Sequence, residues 1–437
     1  MSDAHSAVKP RLSAMMFLQY AIWGAWLPIL FPFLQQHRGF SNEEIGTMFM
    51  VGAIGAILAP FLAGQIADRF FATEKYVALS HLVGAVLMWK LADIETYHGF
   101  LWFSLAYSLV YCPTMPLTNA IAFHHLSDRD RDFGRVRLWG TIGWIVVGIA
   151  VGQWLLHHHT PAGDPPQAAL DAAYAAGRAD AFRLSAILGA IMGVFSFTLP
   201  HTPPMRGAQK NATFEALGEI KYQPLISLFL ISVPIACIHQ FYFVHTSGFL
   251  SAFQSKAATT INSIFGVGGG GLMTIGQMSE IVVLAVIPFV AKRVPRKSIL
   301  LVGCAAYALR MLVFANVEAW SLPAIPALMF GVALHGVCFG CFIFVAFMIV
   351  DEETSPDVRA SAQSLYNLVI VGVGIIVGSK LSVVIADYAQ GAATELDYKN
   401  ATQTHDLFMV PMWASLACFV LVLVFYPRQA NRMQVAA

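Results

Sequence analysis

Apolar segments long enough to cross a bilayer recur from one end of this chain to the other, and that recurrence constrains its fold more than any other feature. The approximate spans are Leu12–Phe33, Ile45–Ile66, Tyr76–Ala92, Phe100–Phe123, Val136–Leu156, Phe182–Leu199, Pro224–His245, Leu272–Ala291, Ser298–Ala315, Pro323–Val350, Ala362–Ala386 and Leu407–Tyr426. At 1.5 Å per residue, about 17 to 28 residues cross the hydrocarbon as a helix, with tilt in the longer ones. A β-barrel would show short alternating strands instead. Composition agrees: 57% of the 437 residues are hydrophobic and 12% are charged. That is half the charge of an ordinary soluble domain, too little to solvate a surface of this size. The first span is too long for a signal-peptide core and lacks a suitably placed A-x-A, so it is read as retained. The expected class is an all-α integral membrane protein with twelve transmembrane helices.

Loop charge sets the topology. With the N-terminus in the cytoplasm, eighteen Lys and Arg residues fall on the cytoplasmic side and six on the other, while Lys90 and Arg310 lie inside spans. This bias places both termini inside and fits a bacterial inner membrane. The longest polar cytoplasmic segment, 201–222, divides the chain into an N-terminal six-helix bundle over 1–200 and a C-terminal one over 223–437. Two bundles with a site between them are the sequence form of a solute carrier. A monomer in the lipid bilayer is expected.

Other function classes find little support. A net charge of +1 gives no reason to expect a nucleic-acid partner. The six cysteines all fall in apolar stretches, and Cys338-x-x-Cys341 stands without a second pair, so these are read as small core residues. His157-His158-His159 has no further ligand to suggest a metal. Gly268–Gly271 is not followed by Lys-Ser/Thr, which excludes a phosphate loop. No G-x-S-x-G or H-E-x-x-H appears, and no enzyme activity, metal or cofactor is expected.

Polar groups at membrane depth carry the functional signal, because a charge at the centre of a span costs about 2.5 to 3.5 kcal/mol on insertion scales. Of the acidic residues, Glu280 alone lies well inside a span, in M-T-I-G-Q-M-S-E. Gln277 stands one turn before it on the same face. A carboxyl away from water favours its protonated form, so Glu280 is the candidate for substrate binding and proton exchange. In R-V-R-L-W-G-T-I-G-W, Arg137, Thr141 and Trp144 share a stripe: a cation, a hydroxyl and an aromatic face, suited to a polar ligand with a planar ring. An interfacial arginine obeying the positive-inside rule explains Arg137 equally well. Gln240, with His239, Tyr242 and His245, adds polar groups in the seventh span, and His81, Asn119 and His335 do so elsewhere. A membrane histidine more often bonds to a neighbouring helix than to a ligand. Gln240 and His335 are the stronger candidates among them.

Gly64-x-x-x-Asp68-Arg69 closes the second span on the cytoplasmic side, where glycine permits close helix approach and the acid–base pair can latch helix ends. With the six-plus-six arrangement, this resembles the major facilitator superfamily. Within it the chain resembles the nucleoside:proton symporter family, through F-L-Q-Y-A-I-W-G-A-W (Phe17–Trp26), H-L-V-G-A from His81, and Y-C-P-T-M-P-L-T-N (Tyr111–Asn119). The resemblance continues through R-L-W-G-T-I-G (Arg137–Gly143), Q-M-S-E (Gln277–Glu280) and R-A-S-A-Q (Arg359–Gln363).

The resemblance implies proton-driven nucleoside uptake by alternating access. It also implies that Arg137, Thr141, Trp144, Gln240, Gln277, Glu280 and Phe339 face a central cavity, with Trp144 and Phe339 flanking the base. The chain departs from the family pattern at three positions. Phe243 stands where an asparagine can occur, Gly340 where an acid commonly follows the aromatic, and His335 where a tyrosine precedes it. The missing acid at Gly340 leaves Glu280 as the only obvious buried proton carrier, and all three departures cluster in the expected pocket. A proton symporter of the same fold for another polar solute, such as a sugar, is the alternative. The aromatic-plus-amide pocket favours a nucleoside.

Overall fold

A computed structural model describes residues 8–62, 72–127, 129–163, 166–203, 217–254, 259–320, 323–355, 359–393 and 396–427. Gly64, Asp68 and Arg69 lie outside the described residues. Among the described residues, twelve helices of nineteen residues or more follow one another, and no strand occurs. They are α1 Val8–His37, α2 Asn42–Leu62, α3 Thr73–Leu91, α4 Tyr97–His125, α5 Arg129–His158 and α6 Gln167–Ser196, then α7 Leu225–Phe253, α8 Gly270–Val290, α9 Arg296–Ala315, α10 Ala324–Glu353, α11 Ala362–Gln390 and α12 Ala401–Phe425. Ten of these are long and apolar enough to cross a membrane. The other two, α2 and α3, have 21 and 19 residues and carry acids in their first turns.

Several helices are interrupted, and in α1 the sequence gives the reason. Pro28 and Pro32 remove backbone donors, and α1 passes through 3-10 and π turns before ending at His37. Within α10 a π turn covers Phe339–Phe344, and another in α11 covers Leu368–Val373. Such turns concentrate at functional positions in helices. Large apolar side chains on the helix exteriors, among them Trp102, Val194, Phe289 and Val384, are more than 60% exposed. Such a surface is covered by lipid rather than water.

The chain divides into two compact units. The first comprises Met1–Gly207 and Thr246–Thr274, the second Ala208–His245 and Ile275–Ala437, so α7 and α8 each contribute to both. In the first unit α1 packs along α5 and α6, α3 along α6, and α2 along α4. The end of α7 and the start of α8 also belong to this unit. Gln254 accepts from Gly269 N–H at 2.7 Å and donates to the Gly266 carbonyl at 2.8 Å. The run Gly266, Gly268, Gly269 adopts φ of +71°, +84° and +80°, which explains the glycines there without a phosphate. In the second unit α9 packs along α12 and α10.

One clamp ties the beginning of α3 to the chain after α6. The Glu74 carboxylate, 4% exposed, bonds His201 Nδ1 and accepts from the Thr202 N–H, both at 2.9 Å. Thr73 N–H returns a bond to the Thr202 carbonyl, and His125 Nε2 reaches the Thr202 hydroxyl. Removing the carboxylate strands the buried Thr202 N–H. Glu74→Ala is therefore expected to destabilise the protein by about 1–3 kcal/mol, read as a lower thermal midpoint in detergent, with bilayer insertion retained.

Candidate substrate and proton site

The expected polar residues fall into two clusters, one in each unit. In the first unit, Arg137, Thr141 and Trp144 lie on the side of α5 that meets α1. Gly143 permits this approach, because a Cβ there would collide with the Phe17 carbonyl of α1. The Arg137 guanidinium stacks on the Tyr20 ring, 3.9 Å from its centroid. Trp144, 9% exposed, meets Trp23 edge-on with centroids 5.5 Å apart. Thr141 is half-buried between them along the helix. Arg137, expected where a loop enters the span, instead lies inside α5, which begins at Arg129, and makes a cation–π contact there.

In the second unit, α8 and α10 cross at a contact between small residues. Ser279 Oγ donates to the Ala333 carbonyl at 2.5 Å and accepts from Gly336 N–H at 3.0 Å. A Cβ on Gly276 would lie 3.0 Å from the Cβ of His335. This crossing sets Glu280, on α8, opposite His335, on α10: His335 Nε2 is 3.8 Å from Glu280 Oε2. His335 is buried, and the Glu280 side chain is 17% exposed. Gln277, one turn earlier on α8, is 6% exposed, and its side-chain oxygen has no hydrogen-bond partner. That buried acceptor is available to a donor group on a ligand.

His335 stacks against two rings of α7, with centroids 5.2 Å from His239 and 4.8 Å from Tyr242. Phe339, half-buried, lies 6.1 Å from His239. Gln240 donates to Ser379 Oγ of α11 at 3.2 Å, so one of its donors is already used. Glu280, Gln277, His335 and Phe339 thus share the α8–α10 region, whereas Gln240 faces α11. The departure at Gly340 also has a packing reason: a Cβ there would lie 2.5 Å from Val283 Cγ1.

Other histidines from the sequence already have partners within the protein. His245 bonds Tyr398 OH and the Ser382 carbonyl, and His81 the Val77 carbonyl. Cys338 and Cys341 are buried and unpaired. Sequence reasoning assigned no role to two groups now seen to matter. Ser279 makes the α8–α10 crossing, and Arg310, on α9, is 0% exposed with its NH1 donating to His335 Nδ1 at 3.2 Å. The signal for Arg310 was its charge inside a span.

The sequence profile of the nucleoside H+ symporter family matches residues 6–431. The chain belongs to this family. The putative nucleoside transporter YegT of Escherichia coli (strain K12) is 35% identical over 381 residues, 86% of this chain and 84% of its own. The nucleoside permease NupG of the same organism is 26% identical over 401 residues, covering 89% and 90%. The crystal structure of the nucleoside transporter NupG superimposes with a TM-score of 0.79 at 24% identity, covering 96% of this chain and 98% of that one. The family is one of proton-coupled nucleoside transporters, not enzymes, and its fold is the major facilitator fold. The chain is accordingly a multi-pass membrane protein that couples nucleoside uptake to protons.

Proposed function

We propose that Glu280 is the proton-coupling group of this symporter. In this reading Arg137, Thr141 and Trp144 of α5, together with Gln240, Gln277, Glu280, His335 and Phe339 of the C-terminal half, recognise the nucleoside. The observation that carries the reading is the carboxyl of Glu280, deep in an apolar helix and 3.8 Å from a buried imidazole. Amide, carboxylate and imidazole groups match the donors and acceptors of base and ribose, and the aromatic faces of Trp144 and Phe339 suit the base. Glu280 takes a proton when substrate binds from outside and releases it to the cytoplasm. The protein works as a monomer in a bacterial inner membrane, with both termini cytoplasmic, as a six-helix bundle over 1–200 and another over 223–437 joined by 201–222. Gly64, Asp68 and Arg69 form the cytoplasmic gating motif.

Uptake of radiolabelled uridine and adenosine into proteoliposomes, with and without an inward proton gradient, tests the reading. Gradient-stimulated accumulation of either is expected, with free ribose competing poorly. If a sugar competes as well as the nucleoside, the pocket serves another polar solute.

The binding assignments have their own test. Gln277→Ala is expected to raise the half-saturating nucleoside concentration about two- to tenfold, and Arg137→Ala about tenfold or more, as for a neutral and a charged hydrogen bond. Both proteins still insert in the membrane. Unchanged apparent affinity in both removes them from the site.

A further inference from the structure

Arg310 is a cation with no part in the recognition just described. It sits on α9 with no exposed surface, and its Nε and NH2 have no hydrogen-bond partner. Its guanidinium lies over the rings of Tyr242 and Tyr307, 4.2 and 5.0 Å from their centroids. No carboxylate pairs with it among the described residues. A buried guanidinium held by rings and one imidazole is costly to place, and packing alone would be served as well by an apolar side chain.

The one hydrogen bond it makes has a definite chemical consequence. A guanidinium has only donors. Its bond to His335 Nδ1 therefore requires that nitrogen to present a lone pair, so the ring proton of neutral His335 sits on Nε2. Nε2 is the nitrogen that faces Glu280 Oε2 across 3.8 Å. The rings of His239 and Tyr242 stack against the imidazole and hold its plane, and His239 is itself tied to Tyr307 OH at 2.7 Å.

We infer that Arg310 is a positioning residue for proton coupling: through His335 Nδ1 it fixes the imidazole as the Nε2–H tautomer and aims that donor at the Glu280 carboxylate. The proton that drives transport is gained and lost by Glu280, and His335 neither gains nor loses one. When Glu280 is ionised, the Nε2–H donor faces a full acceptor backed by the Arg310 charge. When Glu280 is protonated, that attraction is relaxed and the carboxyl can turn to substrate. Among the described residues, His239 and Tyr242 of α7 and Tyr307 of α9 pack against these side chains, and Cys338 of α10 lies near enough to Arg310 to feel its charge. The inference rests on the coupling role proposed for Glu280.

Two variants and one spectrum test it. Arg310→Met removes the donor at similar volume, and Arg310→Lys keeps a donor and the charge. In proteoliposomes, nucleoside counterflow needs no net proton movement, whereas accumulation does. Arg310→Met is expected to lower the ratio of gradient-driven accumulation to counterflow at least about tenfold, and Arg310→Lys to restore part of it. Nitrogen NMR of the His335 ring, assigned by comparison with His335→Gln, is expected to show the proton on Nε2 in the wild-type protein and a tautomer mixture in Arg310→Met. An unchanged ratio in Arg310→Met, or accumulation and counterflow falling in parallel, overturns the inference, as does a wild-type ring protonated at Nδ1. If Arg310→Met does not fold, the wild-type spectrum and Arg310→Lys decide it: a ring proton on Nε2 in both supports the assignment, and one on Nδ1 in either overturns it. Wild-type protein that fails to accumulate nucleoside under a gradient refutes the symport reading itself, a result separate from these.

Discussion

Glu280→Gln is expected to abolish proton-driven nucleoside accumulation while counterflow persists at a reduced rate. Glutamine keeps the size of the side chain and an acceptor for His335 Nε2–H, but it has no proton to lose. The variant therefore stands in for the protonated carrier and cannot complete the step in which the proton leaves. The size of the effect follows from the driving force. A potential of about 100 mV is worth about 2.3 kcal/mol per elementary charge, enough to concentrate solute roughly fiftyfold with one proton. Without coupling the ratio falls to about one. The measurement is the steady-state internal nucleoside concentration in proteoliposomes under an imposed gradient, beside counterflow in the same preparation. Retained accumulation in Glu280→Gln would place the proton on another group and leave the carboxyl at most a binding role. The sequence names no equal substitute, because Glu280 is the one acid that lies well inside a span.

The membrane-crossing pattern was legible because hydrocarbon imposes one solution on an apolar run of this length: a helix that satisfies its own backbone. Helix ends were less legible, for a specific reason. The span expected at Phe182 belongs to a helix that starts at Gln167. Residues 168–181 are rich in alanine, which favours helix without reading as a long apolar run. The same holds for α5, which extends back to Arg129 through charged residues. Glu280 was legible for the opposite reason, since a carboxylate in an apolar run has a cost that function or pairing must offset. Its geometry was not. His335 is 55 residues away in the chain, and only the crossing of α8 and α10 brings the two together. Arg310 was visible as a charge within a span, yet nothing in its neighbourhood on α9 names an imidazole of α10 as its partner. The π turn at Phe339–Phe344 was likewise not read from the sequence.

That crossing leads to the second large effect. A Cβ added at Gly336 would collide with Ser279 Oγ and with the backbone nitrogen of Glu280, so Gly336→Ala must push α10 away from α8. Neither obstacle is the far end of a flexible chain: Ser279 Oγ is held by the Ala333 carbonyl, and the Glu280 nitrogen is helix backbone. Overpacking of this kind costs about 1–3 kcal/mol. The displacement also widens the gap between Glu280 and His335, so uptake should fall further than the loss of folded protein explains. Gly52→Ala, in α2, is the matched control, since a Cβ there meets nothing within 4 Å. Replacing a helical glycine with alanine at such an open position is expected to stabilise by about 0.4–1 kcal/mol. Identical chemistry at two helical glycines should therefore give opposite signs: a lower thermal midpoint and impaired uptake for Gly336→Ala, and an unchanged or higher midpoint with intact uptake for Gly52→Ala. If both variants behaved alike, the close contact at Ser279 would not be what holds Glu280 against His335, and the geometry of the proton site would have to be set elsewhere along α8.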